Sequence, residues 1–300
     1  MINGVINVYK EAGFTSHDVV AKLRGILKQK KIGHTGTLDP DATGVLPICL
    51  GTATKLCDML TDKNKTYEAV MLLGKQTDTQ DISGEVINEA AVTVDEEAVR
   101  EAVMSFVGEY DQVPPMYSAL KVNGKKLYEL AREGVTVERK ARKVQILSVE
   151  IKSVDMDNNT VTMEVECSKG TYIRTLCEDI GNKLGCYGCM KALKRIRVSS
   201  FGISDAKTLD EIANINSSGK LDDILVRVDS VFGDCKAINT PAKADVYLYN
   251  GNKLDIRNFE CRFKSGEKVR IYDSKDVFCG LYEYIEAEKM LKPVKMFLDR

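Results

Sequence analysis

The residues best placed for chemistry lie in Gly33-His34-Thr35-Gly36-Thr37-Leu38-Asp39-Pro40. The run sets a carboxylate, Asp39, and one of the chain's two histidines, His34, in a glycine-rich turn. Glycine admits backbone angles closed to other residues, and Pro40 fixes the angle after the acid. Such a segment holds a side chain in a set place and lets a ligand come close. A carboxylate presented this way can act as nucleophile or base. A tight structural loop with a helix-capping Asp would give the same pattern.

The elements that must hold this turn follow from periodicity. Residues 4–8 predict a strand. Thr15 or Ser16 can cap a helix whose apolar face is Val19, Val20, Leu23, Ile26 and Leu27, with His17 on the surface near its start. Residues 45–50 form an apolar run, 52–60 look helical, and 67–73 alternate as a strand. Thr93-Val94-Asp95-Glu96 has the form of a capping box ahead of a helix reaching 107. Pro114-Pro115 breaks the chain, and 127–132 predict a short helix. Residues 144–153 and 160–167 predict a hairpin around Asp157-Asn158-Asn159. A helix over 171–184 ends near Gly185, a strand returns over 190–198, and Thr208 opens a helical stretch to about 225. Beyond Gly233 short β-like runs (245–249, 268–272, 277–284) are split by turn residues and suggest a small barrel.

Length and composition set wide bounds. Three hundred residues suit one large domain, or one domain and a small module. No apolar run approaches the ~20 residues of a membrane span, and the first residues do not resemble a signal peptide. Nine cysteines at irregular spacing suggest reduced thiols and a cytoplasmic protein, with Cys186 and Cys189 structural. The net charge of −1 hides local basic clusters. Lys22, Arg24, Lys28, Lys30 and Lys31 precede the turn. Lys121, Lys125, Lys126, Arg132, Arg139, Lys140, Arg142 and Lys143 stand against three glutamates, and Lys191, Lys194, Arg195 and Arg197 form a third group. Each alone would suit a solvated face. Together, flanking the candidate motifs, they suit phosphate binding.

Several segments, in order, carry a resemblance. Gly33 to Pro40 with Ala42-Thr43-Gly44-Val45-Leu46-Pro47 resembles the signature of the TruB family of tRNA pseudouridine synthases. Lys65-Thr66-Tyr67 resembles its second motif. Pro114-Pro115-Met116-Tyr117-Ser118-Ala119-Leu120-Lys121 with Gly124-Lys125-Lys126-Leu127-Tyr128 resembles its RNA-gripping insertion. Cys167-Ser168-Lys169-Gly170-Thr171-Tyr172-Ile173-Arg174 resembles its third motif. One departure is Lys10-Glu11-Ala12-Gly13 where the family usually has Lys-Pro-x-Gly.

The resemblance implies an α/β (α+β) pseudouridine synthase fold: a mixed, largely antiparallel central sheet flanked by helices. It divides the chain into a catalytic domain over 1–232, with the RNA-gripping insertion at about 115–143, and a PUA-like RNA-binding module over 233–300. It implies isomerisation of uridine to pseudouridine at position 55 in the T-arm of tRNA. Asp39 would be the catalytic carboxylate, acting as nucleophile or base, Arg174 its partner, and Tyr67 an active-site tyrosine stacking on uracil more readily than acting as base, given a free pKa near ~10. His34 would stack on or hydrogen-bond displaced bases. Tyr172 would line the uracil pocket, and Lys10 and Lys121 would contact RNA. Ile173 and Leu176 belong to a helix core. The reaction has no redox change or net hydrolysis, so no cofactor or metal is expected, nor a membrane or an obligate protein partner; a monomer is the default. Two other readings stay open from the residues: a non-catalytic RNA-binding protein, and a hydrolase pairing Asp39 with Asp41.

Overall fold

A computed structural model describes residues 1–122 and 124–298. Its largest sheet runs Leu225–Val226, Gly4–Lys10, Thr43–Leu50, Gly188–Val198, Lys65–Leu73, Thr160–Cys167, Arg142–Asp155, Gly108–Gln112, with Ile32–His34 and Phe201–Gly202 paired off this path. Every pairing in this sheet is antiparallel except one. Gly188–Val198 meets Thr43–Leu50 in parallel, at Lys194 against Thr43 and Arg195 against Gly44. The expected mixed, largely antiparallel sheet is therefore the observed one.

Apolar alternation explains which helices cover which strands. Val99, Ala102 and Val103 of Glu96–Met104, and Ile173, Leu176, Cys177 and Ile180 of Ile173–Leu184, pack on Ala69, Met71, Ile146, Val161, Met163 and Val165. Val19, Val20, Leu23 and Leu27 of Ser16–Leu27 join Leu209 and Ile212 of Leu209–Ser217 over Ile6, Val8, Leu46, Ile48 and Leu50. Each buried aliphatic side chain of this kind is worth about 1.5–3 kcal/mol over its exposed state.

One helix start signal holds and one differs from expectation. Thr15 does cap Ser16–Leu27, in a reciprocal capping box with Asp18. Thr93 caps nothing: Asp95 is the N-cap, its side chain accepting from the Ala98 amide, and the helix ends at Met104 rather than near 107. Either oxygen-bearing residue fitted the sequence pattern, and the chain's entry path selected the later one. Residues 51–61 form a 3-10 turn followed by a short α-helix.

The second sheet runs Lys236–Asn239, Lys268–Tyr272, Phe278–Ile285, Met290–Met296, Leu254–Asp255, curled into a half-barrel. The run 245–249, expected as a strand, is instead the helix Asp245–Tyr249, with Leu248 turned into the half-barrel core. Asp245 accepts from the Thr240 hydroxyl and from the Ser274 amide and hydroxyl, so tertiary contacts at the first residue override the strand propensity of Val246 and Tyr247. The half-barrel is docked on the main sheet. Phe232, Phe278 and Phe297 cluster with Val5, Val45 and Leu56, and Tyr272 donates to Asp229 at 2.8 Å.

Candidate active site

The Gly33–Pro40 turn links the strand Ile32–His34 to Thr43–Leu50, and four contacts hold it. Lys10 is completely buried, its ammonium donating to the carbonyls of Glu11, Phe14 and Pro40 at 3.0, 2.6 and 2.8 Å. The Gly13 amide donates to the Pro40 carbonyl at 3.0 Å, and the Leu38 amide to the Ser16 hydroxyl at 2.9 Å. From beneath, Arg195 donates to the carbonyls of Val45, Gly36 and Thr37 at 2.7, 3.3 and 3.5 Å. Two glycines make this approach possible. Gly36 has φ +123°, and a Cβ on Gly44 would lie 2.2 Å from the Arg195 carbonyl oxygen.

Two sequence expectations are corrected here. Lys10 faces no solvent, so it anchors the Asp39 loop instead of meeting a phosphate. Burial pushes its ammonium down to about 8, with Asp41 and Asp39 opposing. Its carbonyl partners replace the missing proline of the Lys10-Glu11-Ala12-Gly13 segment as the source of local order. Arg195, grouped by sequence with a basic cluster suited to phosphate binding, is 1% exposed and acts as a brace. Lys10→Met is expected to cost about 1–3 kcal/mol of stability through three orphaned carbonyls, and to lower kcat while leaving KM for tRNA near native. Thermal melting and steady-state kinetics check this; a raised KM with an unchanged melting temperature would restore the phosphate contact.

Arg174 comes to Asp39 from 135 positions away in the chain. It sits in the first turn of Ile173–Leu184, where the helix dipole disfavours a cation by about 0.3–1 kcal/mol. Its Nε lies 3.1 Å from Asp39 Oδ2 and its Nη2 3.4 Å from Oδ1, a two-point grip on one carboxylate. Nη1 donates to the Thr79 carbonyl at 3.1 Å and Nη2 to the Tyr117 carbonyl at 2.8 Å, with Asp81 3.9 Å away. The guanidinium is thus fixed by three separate chain segments. Its side chain is 7% exposed, whereas that of Asp39 is 41% exposed. Asp39 is packed among protein groups yet remains partly open to solvent. Burial raises its carboxyl above the usual range; Arg174 opposes and Asp81 adds to the rise.

Of the other expected residues, Tyr67 and Tyr172 lie close enough to Asp39 to feel its charge, while His34 and Lys121 stand elsewhere on the turn and the basic segment. Tyr67, on Lys65–Leu73, lies opposite Arg195 in the sheet register. Burial pushes its phenol up, with Arg195 opposing, which leaves it a worse base than free tyrosine and favours a ring contact. Tyr172 is the N-cap residue of the Arg174 helix; Gln112 donates to its carbonyl at 3.0 Å and accepts from its amide at 2.8 Å. His34 ends Ile32–His34, and burial holds its imidazole below the ordinary value. Lys121 is exposed in the two-stranded turn Lys121–Val122 with Lys125–Lys126, leading into the helix Leu127–Arg132. The first part of this insertion touches the site, because Tyr117 supplies the carbonyl that Arg174 grips. Asp41 is exposed, and its charge adds a smaller push to the rise at Asp39.

Sequence reasoning missed Thr79, Asp81 and Gln112. Thr79 acts through a backbone carbonyl and Gln112 clamps a backbone, roles no residue type announces. For Asp81 the run Thr77-Asp78-Thr79-Gln80-Asp81, polar and between two strands, was the available signal. His17 is exposed as expected, but it packs its ring edge-on against His34 at 5.3 Å.

A partly exposed carboxylate gripped by arginine, on a mixed sheet with a basic segment beside it, fits the pseudouridine synthase class. Residues 24–173 match the TruB family pseudouridylate synthase N-terminal domain, and 174–232 match the tRNA pseudouridylate synthase B C-terminal domain. The tRNA pseudouridine synthase B of Lachnoclostridium phytofermentans is 53% identical, over 99% of this chain and 100% of its own. The protein of the same name from Clostridium acetobutylicum is 44% identical, over 93% and 95%. A solved Cbf5-Nop10-Gar1 complex holds a chain with TM-score 0.75 and 26% identity, covering 99% of this chain and 85% of that one. The chain belongs to the TruB family: it is an isomerase that converts uridine to pseudouridine in tRNA.

Proposed function

We propose that this isomerase acts on the uridine at position 55 of the tRNA T-loop, extruding it to reach Asp39. The observation that carries this reading is the Arg174 grip on Asp39, which fixes one partly exposed carboxylate in a single orientation. A uridine within a folded loop cannot meet that oxygen unless it leaves its stack. The Asp39 carboxylate then acts at the nucleoside to break the N-glycosidic bond; the uracil turns, C5 bonds to the sugar, the C5 proton is lost, and the freed N1 takes up one proton. Atoms balance with no net water, oxidant or cofactor. Tyr67 stacks on the uracil, Tyr172 lines its pocket, and His34 fills the space the nucleotide leaves. Lys121 and the basic residues of the 115–143 insertion hold the T-arm through phosphate and shape.

In this reading residues 1–232 are the catalytic domain and 233–300 a PUA-like module that supports the acceptor end. The enzyme works in the cytoplasm as a monomer, without an obligate protein partner. Incubation with an unmodified tRNA transcript tritiated at uracil C5 is expected to release one equivalent of tritium. Replacing the uridine at position 55 with cytidine is expected to remove that release. Full release from the cytidine-55 transcript would place the target elsewhere, and cleaved RNA or free uracil would make the protein a hydrolase.

A further inference from the structure

The segment just before the catalytic turn does more than start a helix. Ser16 and His17 are the first two residues of Ser16–Leu27, and each meets the turn at a different end. The Ser16 side chain is buried and takes the Leu38 amide at 2.9 Å, one residue from Asp39. His17 meets His34, five residues before Asp39, with ring centroids 5.3 Å apart and planes at 75°. The two contacts place the acid and the histidine of the turn from one rigid helical start.

His34 has few other constraints. Its Nδ1 is buried without a hydrogen-bond partner, and the Gly36 backbone is the polar group acting on the ring, which leaves ring packing to complete its orientation. Rotation about an sp³–sp² torsion is soft, and ring packing must set it. The exposed His17 ring is the aromatic surface that does so.

We propose that His17 is a positioning residue for the reaction, holding the His34 ring edge-on in the orientation that replaces the extruded uridine. The inference rests on the assignment of His34 to base displacement. It differs from a direct RNA contact, because the effect of His17 must pass through His34. It differs from a stability role, because an exposed side chain at a helix start carries little of the core.

A double-mutant cycle tests it, with tritium release from the same unmodified tRNA as the assay. His17→Ala is expected to lower kcat about fivefold to tenfold, the range a well-packed aromatic pair supports, with KM within about twofold. His17→Phe keeps the ring edge and is expected to recover kcat to within about twofold of native. In a His34→Ala background, His17→Ala is expected to add no further loss. Melting temperatures of all four proteins should agree. A native kcat for His17→Ala, with His34→Ala impaired, overturns the inference alone. An equal loss from His17→Ala in both backgrounds, or no recovery with His17→Phe, overturns it in favour of a direct contact with RNA. If His34→Ala turns over at the native rate, the role of His34 falls first and the inference with it.

Discussion

Asp39→Asn is expected to lose at least about 10⁴-fold in kcat, the scale seen when a group that acts covalently or as an essential base is removed. The change keeps the shape of the side chain and removes its charge. The loop stays in place, because Lys10, Gly13 and Ser16 hold it through the backbone of Leu38 and Pro40 rather than through the acid. Affinity for tRNA therefore changes less than about threefold, since phosphate contacts made elsewhere dominate RNA binding. Single-turnover tritium release and filter binding on one transcript separate the two quantities. The pH profile carries a second signature. Burial raises the Asp39 carboxyl while Arg174 opposes, and only the ionised form is reactive. The rate thus falls as pH drops through a midpoint above the ordinary carboxylate value. A profile flat down to pH 4, or an active Asp39→Asn protein, removes Asp39 from the chemistry.

The Arg174 variants should separate charge from geometry. Arg174→Met removes the cation that opposes the rise in the Asp39 carboxyl, so the acid limb moves to higher pH. It also orphans the carbonyls of Thr79 and Tyr117. We expect about 10²–10³-fold loss in kcat, the cost of removing one preorganised electrostatic contact. The stability loss is about 1–3 kcal/mol, below the ~3–5 of a fully buried pair because the Asp39 side is partly open to water. Arg174→Lys keeps the charge and loses the fork. It should return the acid limb toward native while recovering only part of kcat, since one ammonium cannot grip a carboxylate at two points and two carbonyls besides. If lysine restores the full rate, charge alone suffices and the two-point geometry is incidental.

The contrast between these variants and Lys10 shows how unevenly sequence reports on roles. Asp39, Arg174 and Tyr67 were legible because each sits in a distinctive run, and the runs occur in one order. Lys10 sat in such a run too, yet its role was inverted. A lysine before a glycine can point either way, and only the positions of the Glu11, Phe14 and Pro40 carbonyls turn it inward. Arg195 is a harder case. Its neighbours Lys191, Lys194 and Arg197 hid it in a cluster, while bulges along Gly188–Val198 shift which residues face inside.

The amino-acid sequence by itself determined the reaction class, the motif residues and the alternation that makes a mixed, largely antiparallel sheet with helices over it, because side-chain period and motif spacing are local. Tertiary structure alone decided what meets what. Arg174 finds Asp39 across 135 positions, Gln112 clamps Tyr172 across 60, and the partners of Arg174 and Arg195 are mostly backbone carbonyls. Every residue carries such a carbonyl, so residue type cannot reveal which ones the fold brings to a charge.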